Sequence, residues 1–84
     1  MKSDSIKTEF ENLATRLGYT IRYEKGYFQG GYCRLKNENI IIMNQHLETK
    51  QQNIAFSRLF QEFDLSNIQV LPILRFMIED ISGE

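Results

Sequence analysis

Hydrophobic side chains recur every three or four residues in three segments, which is the spacing of one face of an α-helix. We predict that the first helix ends at Gly18, that the second begins at Thr49 with Gln52 completing a reciprocal cap, and that the third runs from Pro72 to about residue 80. The apolar stripes are Ile6, Phe10, Leu13, Ala14 and Leu17 in the first helix, Phe56, Leu59, Phe60 and Phe63 in the second, and Leu74, Met77, Ile78 and Ile81 in the third.

Between the first two helices, apolar and polar side chains alternate, as they do in a half-buried β-strand. We predict strands over residues 19–23, 32–35 and 40–43, the last two joined by a short polar connection typical of antiparallel neighbours. The third strand has no polar side, which indicates a strand covered on both faces or one at the centre of the sheet. The expected fold is therefore α+β: a helix, a three-stranded antiparallel meander and two helices, with the helices packed on one face of the sheet.

The chain has 84 residues, of which 42% are hydrophobic and 25% are charged, and this is the composition of one globular domain. We therefore expect a single domain over residues 1–84, with residues 82–84 as a loose tail. The chain has one cysteine, Cys33, and its first residues lack the apolar run of a secretory signal. Its longest apolar stretches are far shorter than a membrane span, so we expect a cytoplasmic protein that does not contact the membrane.

Charge is unevenly distributed, although the net charge is only −1. Residues 16–36 contain five basic residues and one acidic residue, whereas residues 37–84 contain three basic and seven acidic residues. The basic segment also carries aromatic rings. Proteins that bind single-stranded nucleic acid typically combine aromatic rings, which stack on the bases, with basic side chains, which contact the phosphates. A nucleic-acid surface is therefore one hypothesis, and it would use Arg22, Lys25, Tyr27, Phe28, Tyr32 and Arg34.

Groups that carry catalysis or bind metals are scarce in this chain. One histidine, His46, and one cysteine, Cys33, leave too few ligands for a metal site, and glycine-rich residues 26–31 lack the lysine of a phosphate-binding loop. We therefore expect no metal and no cofactor. His46 is expected to be an exposed or hydrogen-bonded loop residue, and Cys33 a small buried hydrophobe. A small hydrolase that uses His46 or Cys33 is the least favoured hypothesis, because no spacing rule brings the two together.

The order of elements over residues 5–64 resembles the front half of small gluzincin-type zinc peptidases: a helix, a hairpin that ends at Asn44, a polar connection and an apolar helix. In those enzymes the helix carries a His-Glu-x-x-His motif, which would fall here at residues 58–62. Arg58 stands in the place of the first zinc ligand, Leu59 in that of the general base and Glu62 in that of the second histidine. The resemblance therefore implies an architecture, but neither zinc nor peptidase activity.

The chain also resembles small bacterial proteins that have a Gly-Tyr-Cys-Arg-Leu hairpin and a Leu-Pro turn before the last helix. These features occur here at residues 31–35 and 71–72. The likeness implies no activity.

The leading hypothesis is a non-enzymatic interaction domain that associates with itself or binds another protein. The chain has more large apolar side chains than a core of this size can cover, and we expect the excess to lie on the third helix, on the hairpin and on the far side of the second helix. The residues predicted to form this interaction surface are Tyr27, Phe28, Ile54, Ile73 and Phe76.

Overall fold

A computed structural model describes the backbone of residues 1–82 and the side chains of residues 1–80. These residues form one small α+β domain. Ser82, predicted to begin a loose tail, is the last residue of the third helix, and the other two tail residues lie outside the described part of the chain. The elements in chain order are α1 (Ser3–Arg16), β1 (Tyr19–Glu24), β2 (Gly30–Leu35), β3 (Glu38–Asn44), α2 (Thr49–Phe60) and α3 (Pro72–Ser82).

The three strands form a mixed sheet in the order β1-β3-β2. β2 runs antiparallel to β3, as predicted, but β1 runs parallel to β3, so the predicted antiparallel meander is wrong. The physical reason is the composition of the strands. β3 is apolar on both faces and takes the middle position, where neighbours cover it, while the more polar β1 and β2 form the two edges.

A two-residue turn joins β2 to β3. Leu35 pairs with Glu38, and the residues between them, Lys36 and Asn37, have φ angles of 50° and 69°. Two consecutive left-handed residues are the signature of the turn whose twist matches that of an antiparallel hairpin. This geometry fixes the register of β2 against β3, because a longer or differently twisted turn would shift the pairing.

The hydrophobic core lies between the sheet and the helices. Ile41 and Met43 of β3 are fully buried beneath α1 and α2. The Phe10 ring stacks on those of Phe56 and Phe60, with centroids 5.5 and 5.7 Å apart. α3 completes the core from beyond these two helices, where the apolar side chains of its inner face are buried against them. All three helices therefore lie on one side of the sheet, as predicted.

The helix ends agree only in part with the sequence signals. Gly18, with φ of 85°, follows the end of α1 in the left-handed conformation that its position predicted. α2 begins at Thr49 as predicted, but the residue before it makes no side-chain cap. The Gln52 side chain does not complete the predicted cap and donates to the backbone carbonyl of Asn44 at 3.0 Å. The bond therefore ties the helix to β3.

α1 is joined to β1 by a polar contact at the edge of the core. The Tyr23 hydroxyl donates a hydrogen bond to the Glu11 carboxylate, and the Lys7 ammonium lies 4.7 Å from the centre of the Tyr23 ring. Burial raises the pKa of Tyr23 above its ordinary value, and the bond to Glu11 raises it further. The folded protein therefore holds the Tyr23 proton more tightly than the unfolded chain does.

We predict that this contact makes the fold sensitive to alkali. The stabilisation from Tyr23 is complete below about pH 10, the ordinary tyrosine pKa, and is lost as the pH rises above it. Urea unfolding measures the free energy of unfolding at about pH 8 and about pH 11. We expect this free energy to fall less between the two pH values in Tyr23→Phe than in the native chain. Tyr27→Phe is the matched control because Tyr27 is fully exposed, and an equal effect of both variants would contradict the prediction.

A second prediction concerns the strain at Lys36. Asn adopts the left-handed conformation more easily than Lys does, so Lys36→Asn should raise the free energy of unfolding by about 0.5 kcal/mol. Lys36→Val should lower it by about 1 kcal/mol or more, because a branched side chain is strained at this φ angle. Lys36→Ala controls for the lost charge. Urea titrations measure the free energy of unfolding of all three variants. If Lys36→Ala raised it as much as Lys36→Asn does, the explanation would be contradicted.

Candidate interaction surface

We call the face of the sheet opposite the core the outer face. Strand residues that join the core alternate with residues that point the other way, and the helices lie on the core side. None of the described helices packs on the opposite side, so much of it is exposed. The outer face includes Thr20, Arg22 and Glu24 from β1, Glu38, Ile40, Ile42 and Asn44 from β3, and Gly31, Cys33 and Leu35 from β2.

A shallow groove of about 290 Å³ crosses the outer face beside β2. Its surface is largely uncharged. An added Cβ on Gly30 would lie 3.2 Å from the Met43 methyl group, so Met43 would have to shift slightly, whereas a Cβ on Gly31 would meet nothing within 4 Å. Gly31 therefore leaves room in the groove for an apolar group from another molecule. The lining residues are Phe28, Gly30, Gly31, Tyr32, Cys33 and Ile42.

Asn44, the last residue of β3, holds the loop that borders this groove. Its side-chain amide donates to the carbonyls of Gly26 and Phe28 at 3.0 and 2.7 Å, and its side-chain oxygen accepts the backbone N–H of His46 at 2.9 Å. Its backbone N–H donates to the Gln29 carbonyl at 3.0 Å. Because Asn44 is buried, these bonds are shielded from water and set the path of the loop.

The sequence carries only a weak signal for this role. An asparagine after an apolar run suggests a turn, because its side chain often accepts a backbone N–H two residues later, as it does here from His46. The bonds from Asn44 to the carbonyls of Gly26 and Phe28 span 18 and 16 residues, and no local pattern predicts them. Sequence reasoning therefore missed the residue that positions the loop.

We predict that Asn44→Asp destabilises the protein by about 2–4 kcal/mol. The carboxylate keeps the shape of the side chain but cannot donate, so it faces two carbonyl oxygens across a site with little water. Urea unfolding measures the loss, and faster tryptic cleavage after Lys25 reports release of the loop. Asn67→Asp, at an exposed position, is the control. Equal stabilities of the two variants would contradict the role given to Asn44.

The residues predicted for an interaction surface do not form one surface. Tyr27 is fully exposed and Phe28 half-buried in the loop beside the groove, whereas Phe76 is 64% exposed on α3, which packs on the helices. Ile54 is half-buried on α2, and Ile73 packs against the core. Only the loop pair lies beside the outer face, and the binding role of all five stays a prediction.

The residues predicted for nucleic-acid binding are divided between the two edges of the sheet. Arg22 lies on the outer face of β1 and forms an ion pair with Glu24 at 2.9 Å. Tyr32 and Arg34 lie on the core-side face of β2, and the Tyr32 hydroxyl donates to Glu62 at 3.0 Å, a bond that raises the pKa of Tyr32. No single strand face presents the whole set. The remaining members, which lie in the loop between β1 and β2, are Lys25, Tyr27 and Phe28.

The two candidate catalytic side chains lie apart. Cys33 is exposed on the outer face, so the prediction of a buried cysteine is wrong, because β2 is an edge strand that no described helix covers on this side. His46 is exposed in the loop after β3, six residues beyond Ile40, the pairing partner of Cys33. Within the described part of the chain, no three His, Cys, Asp or Glu side chains converge to hold a metal ion. No described helix is long and apolar enough to span a membrane.

No protein-family model, curated protein or solved structure matches this chain. The resemblance of residues 5–64 to the front half of gluzincin peptidases therefore stays a prediction. At the positions aligned with the zinc motif, Arg58 is exposed, Leu59 is buried in the core and Glu62 accepts the hydrogen bond from Tyr32.

Proposed function

We propose that this protein is a non-enzymatic interaction domain that binds a protein partner through the outer face beside β2. The observation that carries the proposal is the open groove at Gly31, which lies between half-buried Phe28 and Ile42 and exposed Cys33. An uncharged depression on a small protein is a typical place for a partner's side chain to insert.

The composition of β3 supports the same surface. Its central outward residues, Ile40 and Ile42, are as apolar as the residues that face the core, and a continuous apolar run is typical of a strand that is covered on both faces. Ile40 is already buried, but Ile42 is only partly covered. A partner on the outer face would complete the burial of this strand.

Charge is arranged around the groove in the manner of an interface. The groove lining contains no charged side chain, and the charged residues of β1, Arg22 and Glu24, pair with one another at the far edge. An apolar centre with polar groups at the rim is the usual anatomy of a protein contact. Phe76, by contrast, is a single exposed ring on α3, and isolated exposed hydrophobic residues are common on protein surfaces.

Photo-crosslinking in the cells of origin tests the proposal. A benzophenone amino acid at Leu35, which is 52% exposed on the outer face, should give adducts of a few discrete masses. The same group at Phe76, which is more exposed but lies on α3, is the matched control and should give few or none. Both substitutions leave the core intact because neither side chain is buried.

The ratio between the two positions decides the outcome. Discrete adducts from Leu35, at least about fivefold more abundant than those from Phe76, would support binding at the outer face. Absence of adducts from Leu35, or equal yields from the two positions, would remove the argument for this surface.

A further inference from the structure

β2 has a free edge whose hydrogen-bonding groups can be identified. The Asn44 N–H donates to the Gln29 carbonyl, which marks that pair as hydrogen-bonded between β3 and the start of β2. Hydrogen-bonded pairs alternate along antiparallel strands, so the backbone groups of Gly31, Cys33 and Leu35 also point toward β3. The backbone groups that point away from the sheet, with which no described strand pairs, are those of Gly30, Tyr32 and Arg34.

The outer-face side chains of β2 vary in size in a complementary way. Gly31 leaves an open space, Cys33 is two residues further along, and Leu35, two residues beyond that, is a large exposed apolar side chain. A two-fold axis at Cys33 would place Leu35 of one copy opposite Gly31 of the other. The strand is therefore complementary to its own copy, which is the requirement for a symmetric dimer.

We propose that a second copy of this chain pairs with β2 in antiparallel orientation, centred on Cys33, so that two sheets join into one of six strands. The proposal rests on the proposed function and names its partner. In this register the Leu35 side chain lies over the second copy's Gly31, and each Cys33 faces the other. The outward-pointing N–H and C=O groups of Tyr32 bond to those of the second copy's Arg34, and those of Arg34 bond to the second copy's Tyr32. The two pairs together make four main-chain hydrogen bonds.

Charge favours this register. Arg34 lies on the same face as Tyr32, so it comes opposite the second copy's Tyr32, whose hydroxyl is bonded to Glu62. The guanidinium thus approaches an aromatic ring and a carboxylate, and both attract a cation.

The two neighbouring registers are less favourable. A register centred on Arg34 would bring two like charges directly opposite each other, which destabilises a strand pair. A register centred on Tyr32 would pair all three outward-pointing residues, but it would place Cys33 opposite the second copy's Gly31, so Leu35 would no longer fill the space that Gly31 leaves. The register centred on Cys33 avoids both defects.

The contact is small, so the dimer is expected to be weak. Pairing along one edge strand falls in the class of interfaces below about 1,200 Å². Sedimentation should therefore be carried out up to about 1 mM protein, where a population of dimer is expected. Arg34→Pro removes an outward N–H without touching the bonds to β3, and should reduce dimer formation at least about tenfold. Arg34→Ala keeps that N–H and should have the smaller effect.

Cys33 provides a direct probe of the register. Facing residues of a pair without mutual hydrogen bonds have Cα atoms about 4.5 Å apart, which is within the range of a disulfide. Treatment with diamide, which takes one hydrogen from each thiol as the S–S bond forms, should link the chain into dimers. Cys33→Ser/Leu35→Cys is the matched control, because the two new thiols would lie about 13 Å apart along the strands.

The outcomes separate this proposal from the proposed function. Linkage of the native chain at least about tenfold faster than that of the control, together with loss of dimer in Arg34→Pro, supports pairing at Cys33. Equal linkage rates, or a monomer at about 1 mM, would overturn it. If the benzophenone at Leu35 then still gave discrete adducts with other proteins, the interaction function would stand with a different partner. If it gave no adducts, both proposals would fail.

Discussion

The architecture depends on a strand that is apolar on both faces. Ile41 and Met43 point into the core, while Ile40 and Ile42 point to the outer face, so β3 is most stable between two other strands. After β1 the chain therefore crosses to the opposite edge of the sheet and forms β2 there. A two-residue turn then brings it back to the central position as β3. The parallel pairing of β1 follows from that path, and so does the free edge of β2.

Asn44 stabilises this path. The carbonyls of Gly26 and Phe28 lie in the loop from β1 to β2, outside the strands, and the Asn44 side chain supplies the two donors that they need. The same residue receives a hydrogen bond from Gln52 of α2 at its own carbonyl. One buried residue thus links the loop beside the groove, the central strand and the second helix, which makes the shape of the groove dependent on the folding of the core.

Periodicity predicted the elements well, because a helix or strand has to match its apolar spacing to one buried face. The starts of α2 and α3, at Thr49 and Pro72, were predicted correctly. The strand order was not predicted correctly, because alternation specifies which side chains face the core but not which strands are neighbours. The exposure of Cys33 was missed for the same reason: its burial depends on whether a helix covers that face of β2. The bonds of Asn44 are long-range and leave no local pattern.

An exposed edge strand is usually protected by charge, proline or a bulge, because its free N–H and C=O groups invite pairing with another chain. β1 carries Arg22 and Glu24 at its edge, but β2 pairs with β3 over six residues without a bulge or a proline, and its one charged residue is Arg34. This sparse protection is explained if the edge of β2 has a partner, since the features that would block aggregation would also block specific pairing.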